Sequence, residues 1–447
     1  MIQRYVIPGD VFTALAEGGG GMNGIRFLAG TQRSKHLLLL RSVVATAAKI
    51  DHHRAGEMEE AYGLLAALQA DHPDLVEPVL RHPTVGTWAL RTLHALSTKT
   101  GGPLSFAYLP AMAAAAALRS GVECAVDFTV HGSRVVLPSL GVARLPVAGR
   151  RSATRVTVRS AAGAGEVLGD GRSVVVPAEP YRYAEGWTGL RTFTVREGAE
   201  PLTVTLDDLD PYRLPKGGPA GRQGPVAARR WERVLEEGWS LLVAHHPKVA
   251  AEISAATTTL VPMRSPAGRQ VSATSRTAFG AVALSLPKDG RTLASVLAHE
   301  VQHAKLWALL DLLPLVNAAE EPDWPRWYAP WRDDPRPLVG LLQGAYAHLA
   351  VADFWRTQRF LDQGEQALRA HADYARWRQQ TGEVVTTLLE SGRLSPAGVE
   401  FVTGMAATLE SWKGDDIPFD AMRRARAAAL NHRAQWGRRH PGPGRES

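Results

Sequence analysis

His299 and His303 stand four residues apart, with Glu300 between them, in the run His299-Glu300-Val301-Gln302-His303. In an α-helix, positions i and i+4 share one face, so both imidazoles can turn a nitrogen towards one metal ion. At 3.6 residues per turn, Glu300 lies about 100° around the helix from His299 and about 60° from His303. It reaches the space beside the ion, where a carboxylate can hold or deprotonate a water. Leu293, Val296 and Leu297 precede the motif and Leu306, Leu309 and Leu310 follow it. A long, largely buried helix can therefore carry it.

Two histidines do not complete a metal site. A metzincin would continue with His at position 309, where Leu309 stands. Glu320 and Glu321 are available, but they open a Pro- and Trp-rich loop rather than a helix. His348 is the better third ligand, because it sits in the apolar helical run Leu341–Ala352. Gly344, one turn earlier, would let that helix approach another closely. Three protein ligands leave positions open, which makes a site catalytic rather than structural. Imidazole suits Zn, Fe, Cu and Ni alike. From spacing alone the default is a zinc metallopeptidase with Glu300 as general base. The strand expected at Ala281–Leu286 would then be the edge that pairs with an extended peptide, as zincin-type sites need.

The elements that must position these residues are legible in outline. The Gly-rich run Gly18–Gly21 makes residues 1–33 read as a mobile entry segment, with Ser34 as the N-cap of the first long helix. Helical pattern follows to about Leu118. At Gly121 the period changes to short Val- and Thr-rich runs separated by Gly, Pro or Ser, which read as strands. Lys216–Gly224 reads as a linker, and helical pattern returns from Pro225. The division expected is a helical N-terminal lobe (1–120), a β-rich lobe (121–215), a metal-site catalytic part (225–437) and a disordered tail (438–447). The fold class expected is α+β, mostly helical, with a β-rich middle lobe and a zincin-like C-terminal part.

Composition narrows the chemistry. The 447 residues contain one cysteine, Cys124, so neither an intramolecular disulfide nor a Cys-rich metal site can form. The formal charge is +7, and only eight of the 51 basic residues are Lys, leaving 43 Arg. The bases form no clustered stripe interleaved with aromatics, so no nucleic-acid partner is expected. The sequence has no secretory signal, no apolar stretch long enough to span a bilayer and no lipidation motif, which predicts a cytoplasmic protein with no membrane partner.

Beyond the pentapeptide, the sequence resembles the HExxH-motif family of peptide-modification proteins. The residues that carry the resemblance are His299–His303 with Ala304-Lys305-Leu306, then Asp311-Leu312-Leu313-Pro314-Leu315. Four other segments fit: Ser34-Lys35-His36-Leu37-Leu38-Leu39-Leu40-Arg41, Ala278–Ser285, Tyr328–Leu338 and Gly344–Trp355. The resemblance spans most of the chain, although residues 121–210 add little to it. It implies an Fe(II)- and 2-oxoglutarate-dependent hydroxylase of a ribosomally synthesised precursor peptide, typically at a β-carbon, working among other peptide-maturation enzymes. Under that reading His299, His303 and His348 hold the iron, and the remaining positions take 2-oxoglutarate as a chelate and dioxygen. Such a set departs from the usual two His and one carboxylate. If a carboxylate completes the set instead, Glu320 or Glu321 supplies it. Glu300 then stands beside the metal and orients a ligand or the substrate.

The distal carboxylate of 2-oxoglutarate needs a cation, and the planar fork of Arg suits it. Arg336 and Arg332, in the loop between the two metal helices, and Arg276, before the strand, are the candidates. Trp324, Trp327, Tyr328 and Trp331 crowd that loop and either wall a peptide groove or pack beneath it. Two other readings stand beside the hydroxylase: the zinc metallopeptidase, and a non-catalytic peptide-binding scaffold.

Overall fold

The structure is a computed structural model that describes residues 5–98, 106–145, 153–161, 164–197, 201–214, 218–265, 268–317 and 326–440. The architecture is mixed α+β and mostly helical. The helices are α1 (Gly9–Ala16), α2 (Gly21–Lys49), α3 (Ala55–Asp71), α4 (Pro73–Leu80), α5 (Pro83–Thr98), α6 (Tyr108–Ser120), α7 (Pro225–His245), α8 (Pro247–Ala256), α9 (Gly290–Leu310), α10 (Leu338–Gln358), α11 (Gly364–Glu390), α12 (Pro396–Ser411) and α13 (Phe419–Arg439). The strands are β1 (Cys124–His131), β2 (Arg134–Leu137), β3 (Gly141–Arg144), β4 (Ala153–Ala161), β5 (Ala164–Gly169), β6 (Arg172–Val176), β7 (Trp187–Gly189), β8 (Arg191–Val195), β9 (Leu202–Leu206), β10 (Thr259–Pro262), β11 (Ser272–Ala273) and β12 (Ala281–Leu284).

Among the described residues, two large apolar cores divide the chain, with two small clusters beside them. In the first, α2 to α6 pack against antiparallel sheets ordered β1-β4-β5-β6 and β2-β3-β7. Helix α6 is buried from Tyr108 to Ala117, and its run of alanines lets α3, α4, β1 and β4 approach it from several sides. The second core gathers α1, the start of α2, and α7 to α12 around a five-stranded sheet ordered β11-β12-β10-β9-β8. Helix α2 bridges the cores, giving Ile25, Leu28 and Ala29 to the second and Leu40, Val43 and Ala47 to the first.

Residues 9–33 are therefore not a loose entry segment. They form α1 and the first part of α2, so Ser34 is interior to a helix rather than its cap. The apolar face of α2 simply begins earlier, at Ile25, after a turn at Gly20. The five-stranded sheet draws β8 and β9 from before the expected boundary at 215 and β10 to β12 from after it. At the far end, α13 continues to Arg439, into the stretch expected to be disordered. Residues 441–447 lie outside the described residues.

Within the mixed sheet, β9, β10 and β12 run parallel, while β8 and β11 pair antiparallel at the two edges. The expected edge strand, β12, is thus an inner strand. The edge is β11, two residues long, with Ser272 opposite Leu284 and Ala273 opposite Ala283. No described helix is long and apolar enough to cross a membrane.

Candidate metal centre

Helix α9 starts where Asp289 accepts a hydrogen bond from Thr292 N at 2.8 Å. A cap of this kind contributes about 1 kcal/mol. Leu293, Leu297, Val301 and Leu309 turn into the core. His299, His303 and Trp307, spaced four apart, stay half-buried and line one cavity of about 1120 Å³. Helix α10 is buried almost continuously from Leu341 to Ala352, as expected of a helix packed on all sides. It brings His348 to the same cavity.

The three imidazoles meet. His299 Nε2 and His303 Nε2 are 3.1 Å apart, and the ring centroids of His299 and His348 are 5.1 Å apart in an edge-to-face arrangement. Two nitrogens bound to one tetrahedral ion at about 2.0–2.1 Å stand roughly 3.3–3.4 Å apart, so the first pair is close to shared-ligand geometry. Among the described residues, no three His, Cys, Asp or Glu side chains already surround a single point as a closed ligand set. His348 is in contact with the pair rather than converged on it.

The protonation pattern fits a metal. Burial, with a contribution from neighbouring His303, holds His299 down at about 4. Burial and nearby His299 hold His348 well below the usual histidine range. Both rings are neutral at pH 7 and can offer a lone pair. His303 Nδ1 lies 2.9 Å from Gln343 Oε1, and His348 Nδ1 lies 2.8 Å from the Gly344 carbonyl. Each of these nitrogens faces an acceptor and so carries the proton, which frees Nε2 for a ligand bond. A metal-binding histidine is normally oriented in this way.

Glu300 is 1 % exposed. One of its oxygens, Oε2, accepts from the Thr274 hydroxyl at 2.6 Å, and Oε1 lies 4.0 Å from His299 Nε2. The carboxylate is therefore fixed beside the imidazole pair, on the side of β11. Ser272, Ala273 and Thr274 line the cavity there.

The loop before α10 closes on itself through reciprocal backbone hydrogen bonds between Trp327 and Arg336, both 2.9 Å. It drives Trp331 onto His348, with ring centroids 4.4 Å apart and planes 13° from parallel. Gly344 serves this contact and not a helix crossing, because the indole occupies the place of a Cβ. Tyr328 instead bonds His432 on α13, and Trp327 packs against the core. Trp324, Glu320 and Glu321 lie outside the described residues.

Of the expected arginines, Arg332 and Arg336 line the cavity, and both pair with Asp334, at 2.9 and 3.0 Å. Arg276 is not among the lining residues. It pairs with Asp311 at 2.7 Å and lies over the Trp307 ring. Sequence reasoning missed Thr274, Gln343, Arg376 and Trp377, all of which line the cavity. Gln343, five residues before His348, could have been noticed as a polar residue in an apolar run. Arg376 and Trp377 come from α11, which carries no motif.

No protein-family model matches the sequence, and no curated protein matches it significantly.

Proposed function

We propose that this cavity is the active centre of an Fe(II)- and 2-oxoglutarate-dependent hydroxylase acting on a residue of a precursor peptide. The observation that carries the proposal is the meeting of three imidazoles from two helices, with Glu300 beside them, in a cavity large enough for a small acid and a peptide segment together. The resemblance in residues and motifs supports the choice of iron over zinc. When bound, the iron with its cosubstrate supplies the oxidising power to hydroxylate a carbon.

The chain's own residues do the rest. His299, His303 and His348 hold the metal, and Gln343 and the Gly344 carbonyl fix the tautomers of the last two. Thr274 keeps Glu300 turned towards the site, where it positions a ligand or the reacting residue. Trp331 and Trp377 cover His348 and exclude water from its far side. The outer edge of β11 can pair with an extended peptide. A helix bearing the motif beside a mixed sheet with an antiparallel edge strand also supports a zincin-like reading of this part of the chain.

One observation favours a second reading. Glu300 stands where the general base of a zinc peptidase would stand, next to that same edge strand. The two readings separate in one experiment. The protein is loaded with Fe(II) without air, then given 2-oxoglutarate, air and the peptides encoded by short reading frames flanking its gene. The hydroxylase gains one oxygen atom on a peptide for each succinate formed. Peptide cleavage with zinc, with no need for 2-oxoglutarate, replaces it with the peptidase.

A further inference from the structure

We propose that Arg376 is the carboxylate anchor of the cavity. The proposal rests on the reading above only in naming the distal carboxylate of 2-oxoglutarate as its first ligand.

The other cavity arginines are unsuited to the task. Arg332 and Arg336 share Asp334, so an incoming carboxylate would compete with one already in place. Arg269 is exposed, where an ion pair contributes little. Arg376 differs on each count. It is half-buried, and among the described residues no carboxylate lies within ion-pair distance of it, although Asp373, one turn earlier, acts on it from further away. Among the described residues, its only hydrogen bond runs from Nε to Gln380 Oε1, at 3.1 Å, and Gln380 is itself 2 % exposed. The guanidinium lies over the Trp377 ring, 4.4 Å from its centroid. The bond and the stack fix the plane of the group and leave both Nη atoms without an acceptor among the described residues. A fork held in one orientation binds a carboxylate bidentately with little further loss of freedom.

The position suits a ligand that also reaches the histidines. Trp377 contacts His348 on its other side, with centroids 4.6 Å apart. The guanidinium therefore lies within about 9 Å of the His348 ring. A five-carbon diacid can span from a metal at the imidazoles to Arg376. Arg376, His348 and His432 line the same cavity. Burial lowers the affinity of Arg376 for a proton, and Asp373, one turn earlier on α11, offsets only part of that effect.

The source of the carboxylate is either the cosubstrate or an acidic group of the peptide, and binding measurements separate them. The protein is loaded with Zn(II), which supports no oxidative turnover, and titrated calorimetrically with three probes. These are 2-oxoglutarate, 2-oxopentanoate, which lacks the distal carboxylate, and a flanking-gene peptide with free or amidated C-terminus, the peptide being checked for cleavage by mass spectrometry. Arg376→Gln and Arg376→Met should weaken 2-oxoglutarate by about tenfold or more and leave 2-oxopentanoate unchanged. Arg376→Lys should recover part of the loss. Arg369→Gln, on the exposed side of the same helix, should bind like wild type. Thermal melts show whether each variant is folded.

Wild-type affinity for 2-oxoglutarate in the Arg376 variants overturns the anchor and leaves the hydroxylase reading standing. A wild type that ignores 2-oxoglutarate but binds the free-acid peptide through Arg376 keeps the anchor and rejects that reading. A wild type that binds no carboxylate probe overturns both.

Discussion

Gly344 leaves open the space that Trp331 fills: a Cβ on Gly344 would stand 2.3 Å from the indole Nε1. The ring that enters this space is the one stacked on His348. A loop residue thus sets the position of a buried histidine on the next helix, through a contact that only glycine permits.

Gly344→Ala should push the indole away and loosen His348. The expected outcome is a loss of metal affinity of about 10–100-fold, the size seen when support around a ligand is removed. Competitive Zn(II) titration measures it. An unchanged affinity would mean that the stack does not position His348.

Gln343→Leu removes the acceptor facing His303 Nδ1. The ring then loses its preferred tautomer, and metal affinity should again fall about 10–100-fold. Gln343→Glu keeps an acceptor and should retain most of it. Equal behaviour of the two variants would remove Gln343 from the account.

Lys305 and Glu252 form a buried pair behind the motif, 2.7 Å apart and 0 % and 4 % exposed in their side chains. The same ammonium donates to the carbonyls of Gly18 and Gly19, tying the turn between α1 and α2 to α9. Lys305→Met leaves the carboxylate buried without its partner and should cost about 3–5 kcal/mol in urea unfolding. Adding Glu252→Gln should restore part of that loss. A single variant as stable as wild type would show that the pair is not what closes this junction.

Asp415 gathers Arg356, Arg359 and Tyr374, with contacts of 2.6 to 3.1 Å. The Arg356 hydrogen bond is the largest cause and Tyr374 adds to it, and together they hold the carboxyl down at about 2, against an ordinary 3.8. A lowered carboxyl stabilises the fold above its unfolded value and loses that contribution as pH falls through its folded value. Water screens the partly exposed Arg356, so the contribution at neutral pH stays below about 2 kcal/mol, and it is lost between about pH 4 and pH 2. Asp415→Asn should therefore unfold more easily than wild type at pH 7, with the gap roughly halved at pH 3. A gap independent of pH would refute this origin.

The sequence was most readable where chemistry and periodicity coincide. His299, Glu300, His303 and His348 come together as their spacing and apolar surroundings suggest, because i,i+4 geometry is local and an apolar helix must pack against another. Most short strands of the middle region also match their Val- and Thr-rich runs. What was not legible depends on distant neighbours. β11 is two residues long and has no pattern of its own; it exists because β12 leaves a free side. Residues 9–33 looked loose because glycine punctuates them, yet the Lys305 and Glu252 contacts hold the Gly18–Gly21 turn in place. Arg376 is one of 43 arginines. What distinguishes it is tertiary: its place in the cavity beside His348 and, among the described residues, the absence of a carboxylate within ion-pair distance.

The central claim is that His299, His303 and His348 form one metal centre. The most direct test is equilibrium titration of the metal-free protein with Fe(II) under anaerobic conditions, and with Zn(II), comparing wild type with His299→Ala, His303→Ala and His348→Ala. The account predicts one ion per wild-type chain and a marked loss of affinity in all three variants, His348→Ala included. A wild type that binds no ion, or a His348→Ala variant that binds like wild type, would contradict it.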